Sequence, residues 1–373
     1  MKVLIVDTCY PKFLADHYRG QQIAGLPYAE QRSSLLAACF GTSDFYSREL
    51  TKLGCEAEEI IANCAPLQLQ WAREQGLRSA WQAAPHRWTR SQLATRLIAR
   101  SGALLSILLE QIRRARPDVL YVQDLNLLPP GLLHSLAGEV RLIAGQIASP
   151  LPRKEILAGY HLILTSFPHY LARLRQAGAA AEYLRLGFHP SVLERVGPQE
   201  KRFACTFVGG ISRDHSRGVT QLEQVARKAE VDFFGYGAEA LSPDSPIRAR
   251  HHGEVWALDM YRVLAQSRIT LNRHVDVAEG YANNMRLYEA TGMGAMLLTD
   301  AKANLGELFE VGKEVVAWED PEDLFEKICY YAGRPTERDA NARAGQQRTL
   351  RDHTYERRMI ELVGILKQHL GRR

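Results

Sequence analysis

The sequence predicts an α/β protein of two doubly wound domains, each a parallel sheet covered by helices on both faces. That expectation rests on three observations. The chain has 373 residues, more than a single core comfortably sustains. Short apolar runs alternate with stretches of helical periodicity, the pattern of strands buried on both faces. The rhythm also occurs twice, interrupted by Gly187-Phe188-His189-Pro190 and the polar segment Gly197-Pro198-Gln199-Glu200-Lys201-Arg202. The reading is therefore a first domain over 1–190, a second over 191–352 and a terminal helix over 353–373.

In the first half, apolar runs place strands at 3–6, 57–61, 119–122, 141–147, 162–165 and 183–186. A helix over 43–53 starts at a Ser/Asp cap and stops at Gly54, and another over 91–115 ends before Arg116-Pro117. Two stretches break the rhythm, 8–40 and 68–90, and read as insertions able to line an acceptor cleft. In the second half, strands fall at 205–208, 231–234, 269–271, 295–298 and 315–317. Helices are expected over 219–229 and from the Asp320-Pro321-Glu322-Asp323 cap to 331, and 337–370 is largely helical.

Composition narrows the function classes. Charged residues make up 24% and apolar ones 46%, an ordinary globular balance. A net charge of +5, spread along the chain, is too small to argue for nucleic acid, though it suits anionic ligands or a loose membrane-surface contact. Six cysteines show neither Cys-x-x-Cys nor zinc-finger spacing, so buried thiols in a reducing compartment are expected. Residues 2–7 form a strand pattern without the features of a signal peptide, and the apolar stretch 102–109 is too short to span a bilayer. A soluble cytoplasmic protein is the expectation.

The richest segment runs Asn283-Asn284-Met285-Arg286-Leu287-Tyr288-Glu289-Ala290-Thr291-Gly292-Met293-Gly294, then the apolar strand Ala295-Met296-Leu297-Leu298. A short helix carries an isolated acid, Glu289, and is stopped by glycines that accept positive φ. The acid therefore lies near a crevice where open α/β sheets bind ligands. A second such place is Gly209-Gly210-Ile211-Ser212-Arg213-Asp214-His215-Ser216-Arg217-Gly218, after the strand at 205–208. Its glycines let amides approach an anion, and Arg213 and Arg217 precede a helix. A glycine hairpin with solvated arginines is the plainer alternative. Asn283, Asn284 and Arg286 open the helix that bears Glu289, where donors can face phosphate and sugar hydroxyls; Arg286 could equally pair with Glu289 one turn later.

These segments resemble the nucleotide-sugar site of GT-B fold glycosyltransferases, especially the CgeB-like glycosyltransferase family 1 group. The resemblance is strongest from Asn283 to His353 and much looser before residue 190. It implies two Rossmann-like domains and a nucleoside-diphosphate sugar donor bound mainly by the second. It also implies a glycan or other hydroxyl acceptor on the first domain, catalysis between them, and a terminal helix from Tyr355 returning to the first domain. Glu289 inherits the role of accepting the donor's ribose hydroxyls, and Gly209, Gly210 and Arg217, with Arg213 nearby, match the phosphate turn. Retaining members carry two glutamates eight positions apart; here Glu279 and Glu289 are ten apart, so Glu279 stands as a candidate contact to the transferred sugar or as a surface acid. Asn304 falls in the loop that flanks the donor phosphates in the family.

Neither Asp-x-Asp nor His-Glu-x-x-His occurs, so no metal or other cofactor is expected and the diphosphate charge falls to arginines, amides and a helix N-terminus. On the acceptor side, Asp124 follows the strand at 119–122 and could act as general base or cap a helix near Pro130. His17, beside Asp16, could deprotonate a hydroxyl, and Gly41-Thr42-Ser43 could contact acceptor or phosphate, with a helix cap explaining Ser43 as well. Trp71, Trp81 and Trp88, among Arg73, Arg78, Arg87 and Arg90, could stack on sugars or staple an irregular segment to the core. Two other classes stay open: a GT-B-fold sugar-nucleotide epimerase and a non-catalytic nucleotide- or glycan-binding protein.

Overall fold

The computed structural model describes residues 1–19, 22–77, 97–98, 101–211 and 216–372, with the backbone alone for 22, 216 and 217. The chain divides into two compact units, Met1–Leu184 with Met359–Arg373, and Arg185–Arg358. Each is built around its own parallel sheet, the architecture that alternating βα units dictate.

The first unit's sheet contains β1 (Lys2–Asp7), β2 (Glu56–Ile61), β3 (Val119–Val122), β4 (Leu142–Ile147), β5 (Leu162–Thr165) and β6 (Ala181–Tyr183) in the order β2-β1-β3-β4-β5-β6. All four residues of β3 and all six of β4 are buried, as strands covered on both faces require. The chain reverses its winding direction between β1 and β3, so the loops after these strands diverge and leave a crevice. The last strand is displaced from the expected 183–186. The Leu184 amide makes the last bond to β5, at the Thr165 carbonyl, and Leu186 is buried beyond the ladder, because apolarity marks burial and not strand pairing.

The stretch expected to be an insertion after β1 is helical, over Pro11–Arg19 and Tyr28–Ala37. A buried amide holds it together: Gln31 donates to the Ala24 and Leu26 carbonyls and accepts from the Tyr18 hydroxyl. The second expected insertion begins with the helix Ala65–Glu74, where Trp71 packs beside Leu69, Leu104 and Ile107 under the Arg114 guanidinium. Trp81, Trp88, Arg78, Arg87 and Arg90 lie outside the described residues. Of the helix expected over 91–115, the part Ala103–Ala115 is seen as such. Cys329 is exposed, against the expectation that every thiol is buried; the other five are.

The second sheet contains β7 (Phe203–Val208), β8 (Asp232–Phe234), β9 (Ser267–Asn272), β10 (Met296–Asp300) and β11 (Val316–Trp318) in the order β11-β10-β9-β7-β8. Here the winding reverses between β7 and β9. Asp320 caps the helix Pro321–Ala332 by accepting from the Glu322 and Asp323 amides. The long helical region splits into Pro335–Asp352 and Tyr355–Leu370 around His353 and Thr354. Phe188 forms a parallel bridge with Thr354, exchanging hydrogen bonds with His353 and Tyr355, so both ends of this unit are tied together.

His353 is the buried hub of that tie. Its Nε2 donates to the Leu308 carbonyl at 2.7 Å, its Nδ1 accepts from Arg358 at 2.9 Å, and the Tyr288 and Phe309 rings flank it. Burial pushes its pKa down to about 4, with the Leu308 bond opposing and Arg358 adding to the fall. An unfolded histidine takes up a proton first, so the stability His353 contributes is complete above pH 6.5 and is lost as pH falls towards 4. A loss of about 3 kcal/mol over that window is expected. His353→Gln should flatten this part of the stability–pH curve, measured as urea midpoints at pH 7 and pH 4.5.

Candidate functional site

In the second unit the candidate residues gather where β7 and β9 end and the winding reverses. The helix Met285–Gly292 begins there because Asn284 caps it, its Oδ1 accepting from the Leu287 amide at 3.2 Å. The same side chain donates to Asn272 Oδ1 at 2.8 Å, which anchors the helix start to the end of β9. Asn284 is thus a positioning residue. Asn283 is buried, and its Nδ2 has no hydrogen-bond partner among the described residues.

One turn into this helix, Glu289 is 5% exposed and holds two partners. Arg286 meets its Oε2 at 2.9 Å, and the Tyr261 hydroxyl donates to Oε1 at 3.3 Å. Arg286 also donates through Nε to the Val208 carbonyl at 3.0 Å, the residue before Gly209. A single polar chain therefore links the acid to the glycine turn after β7. Of the alternatives read from the sequence, the pairing of Arg286 with Glu289 is seen, and the pair stands at the mouth of the sheet. A carboxylate offers about four acceptor positions, so Glu289 keeps capacity for a further donor.

The glycine turn is shaped by packing. The Gly209 amide is taken by the Phe234 carbonyl at 2.9 Å and the Ile211 amide by the Tyr236 carbonyl at 2.8 Å, which leaves Gly210 between two engaged amides. A Cβ on Gly210 would lie 2.6 Å from the Tyr236 hydroxyl oxygen. Tyr236 in turn stacks on Trp256 at 5.8 Å, forming a half-buried aromatic wall beside the turn. Arg213 and the side chain of Arg217 lie outside the described residues. The cation seen at this place is Arg273, just after β9: it covers Gly218 at the start of the helix Ser216–Ala226 and bonds Gln221 and Asp276.

Next to it His274 and Asp300, ends of neighbouring strands, form a pair at 2.6 Å with Lys302 on the other carboxylate oxygen. Burial works to raise the Asp300 pKa, but the His274 bond and Lys302 hold it below the usual range. His274 Nε2 is buried with no partner among the described residues. The pair was not legible beforehand, since a helix and a strand separate its members in sequence; the signal available was that each follows a strand of the same sheet.

Glu279 sits in the loop between β9 and this helix, exposed, with φ of 52° and ψ of −122°. With Tyr281 N–H bonded to the Ala278 carbonyl, it is the second residue of a type II′ turn, a position that favours glycine. Lys302 braces its carbonyl, while Asn304 grips both the amide and the carbonyl of Ala282. Asn304, only 3% exposed, therefore holds the loop that presents Glu279. A side chain at this φ carries strain of roughly 1–3 kcal/mol. Glu279→Gly is expected to raise stability by about 1 kcal/mol and to lower turnover, seen by thermal melting beside initial rates.

In the first unit the crevice between β1 and β3 collects Asp7, Thr42, Gln123 and Asp124. Thr42 donates to Asp7 Oδ2 at 3.2 Å and accepts from Gln123 at 2.9 Å. Burial pushes the Asp7 pKa up to about 6, against bonds from the Thr8 amide and Thr42 and with Asp124 adding to the rise. Asp124 does not cap the helix Pro130–Leu136; it closes its own turn by accepting from the Asn126 amide. Ser43 is likewise no helix cap, since its hydroxyl donates to the Leu36 carbonyl. His17 lies on the helix Pro11–Arg19 facing Ser34 at 3.4 Å, and burial lowers its pKa, so it is neutral at pH 7. Asp16 pairs with Lys12 and Arg19. Asp7, missed in the sequence because it ends a predicted strand, is brought by its surroundings to a pKa of about 6.

Among the described residues no group of three or more His, Cys, Asp or Glu side chains is placed to hold a metal ion, and no helix is long and apolar enough to cross a membrane.

Residues 217–364, most of the second unit, match the family model described as glycosyl transferase-like. No curated protein matches the chain by sequence. Among solved structures, HepE of Anabaena in complex with UDP-glucose aligns with a TM-score of 0.61 at 10% identity, over 99% of this chain and 100% of that one. Sucrose-phosphate synthase of Thermosynechococcus elongatus gives 0.59 at 11% identity over the full length of both chains. AviGT4, a glycosyltransferase involved in avilamycin A biosynthesis, gives 0.57 at 13% identity, over 100% of this chain and 99% of that one. At such identities these likenesses establish the fold: two Rossmann-like domains of the kind the sequence predicts.

Proposed function

We propose that this chain, a glycosyltransferase of the GT-B fold, binds the diphosphate and ribose of a nucleotide sugar at the carboxyl ends of β7 and β9 and passes the sugar to a hydroxyl acceptor. The observation that carries the site assignment is the continuous link from Glu289 through Arg286 to Val208, which brings the acid and the glycine turn to one place. Glu289 accepts from the ribose hydroxyls. Gly210, the start of the helix Ser216–Ala226 and Arg273 offset the charge that builds on the leaving diphosphate, without a metal ion. Each charge-assisted bond of this kind contributes on the order of 1.5–3 kcal/mol. Asn283 and Glu279 face the sugar.

Asp7, with Asp124 beside it, is the group best tuned to take the acceptor's proton. A carboxylate titrating near 6 is mostly ionised at neutral pH and still a useful base. His17, neutral at pH 7, is the second candidate.

The test is a panel of UDP-, GDP- and TDP-sugars in thermal melting, since a ligand bound only by the folded state adds about 2.7 kcal/mol at a hundredfold excess over Kd. A shift with one nucleotide series, followed by acceptor-dependent release of the diphosphate, supports transfer. Melting curves unmoved by every donor would end the proposal. Binding without turnover would favour a nucleotide-binding protein, and free altered sugar without acceptor an epimerase.

A further inference from the structure

We propose that the second unit holds a separate anion site, for a small phosphate-bearing molecule of the diphosphate class, at the amino ends of β7, β9 and β10. A cavity of about 440 Å³ opens there against the helix Pro335–Asp352, and its walls include Lys201, Arg268, Arg338 and Arg343 against a single carboxylate, Asp339. That volume admits a diphosphate with a small organic group attached.

The cations are held apart and largely uncompensated. Lys201 turns its ammonium onto the Ser267 and Gly294 carbonyls at 2.8 and 2.9 Å. Arg338 is 8% exposed and has only its Nε engaged, by Asp339 at 3.0 Å. Arg268 and Arg343 have no hydrogen-bond or ion-pair partner among the described residues. Four like charges around one recess repel each other, and an anion placed among them removes that repulsion and gains bonds from every wall. The strain shows on Lys201: burial pushes its pKa down to about 8, with Asp339 opposing and Arg268 and Arg338 adding to the fall.

The place is distinct from the donor site. The strands run parallel, so Lys201 and Arg268 stand at their starts while Gly209 and Arg273 follow their ends. At roughly 3.3 Å per residue, the length of β7 or β9 sets the two sites about 20 Å apart. A membrane surface is the poorer occupant, because lipid headgroups are met by cations displayed outwards, and Arg338 is buried in the wall of a recess.

The experiment titrates inorganic pyrophosphate into the full chain by calorimetry, with wild type and the double variant Arg268→Ala/Arg343→Ala. The double variant is expected to bind pyrophosphate at least tenfold more weakly at this site, with an unchanged melting temperature. At pH 8 binding should also take up a proton as Lys201 recharges, read as an enthalpy that depends on the buffer. Equal affinity in wild type and double variant, or no binding by wild type, overturns the proposal. A parallel arm floats the protein with phosphatidylserine vesicles: vesicle binding lost in the double variant, with no pyrophosphate binding, assigns the cations to a lipid surface and overturns it too.

Discussion

Glu289→Gln is expected to reduce affinity for the donor nucleotide by roughly 10- to 150-fold, the loss of one charge-assisted hydrogen bond of about 1.5–3 kcal/mol. The substitution keeps shape and volume but removes the charge that holds Arg286 at 2.9 Å. Arg286 would then keep its bond to Val208 and lose its counter-ion, so stability should fall as well; removing one member of a buried pair costs up to about 3–5 kcal/mol. The two effects separate in a double-mutant cycle with Arg286→Gln. If the carboxylate merely neutralises Arg286, the double variant regains stability and nucleotide affinity together. If Glu289 binds ribose, stability returns and affinity does not. Calorimetry with UDP, GDP and TDP beside thermal melting gives both readings, and full affinity in a folded Glu289→Gln protein would remove this residue from the site.

A large loss of stability is also expected at Gly235→Ala. Gly235 has φ of +132°, and a Cβ there would lie 1.9 Å from the Gly209 carbonyl oxygen, so the turns after β7 and β8 cannot both keep their places. Backbone strain and overpacking together predict a cost of about 3 kcal/mol or more. Gly253→Ala is the control: its φ of +92° is also unfavourable, but a Cβ there meets nothing within 4 Å. It should lose only about 1–2 kcal/mol. Denaturant midpoints of the two variants isolate the steric part, and equal losses would mean that the glycine turn yields more easily than its geometry indicates.

Most strands were legible because burial on both faces leaves an unbroken apolar run, as at Leu142–Ile147. The same signal misled at 183–186, where Leu186 is buried beyond the end of the ladder. Helices such as Pro11–Arg19 and Tyr28–Ala37 were hidden because polar groups stabilise their packing, Gln31 above all. In the site, Glu289 and the glycine turn stood out as local patterns. The contact of His274 with Asp300 and the place of Asp7 did not, since only sheet order makes neighbours of residues far apart in the chain. Asn284 and Asn304, read from the sequence as ligand donors, also hold backbone in place, through bonds that depend on where each amide finds its partner.

The bridge between Phe188 and Thr354 brings the two ends of Arg185–Arg358 side by side. A segment that leaves and re-enters the backbone at one point is a cassette. Its two ends are expected to tolerate a cut or a junction at this one point without stretching either terminus, which expression of 185–358 alone would check.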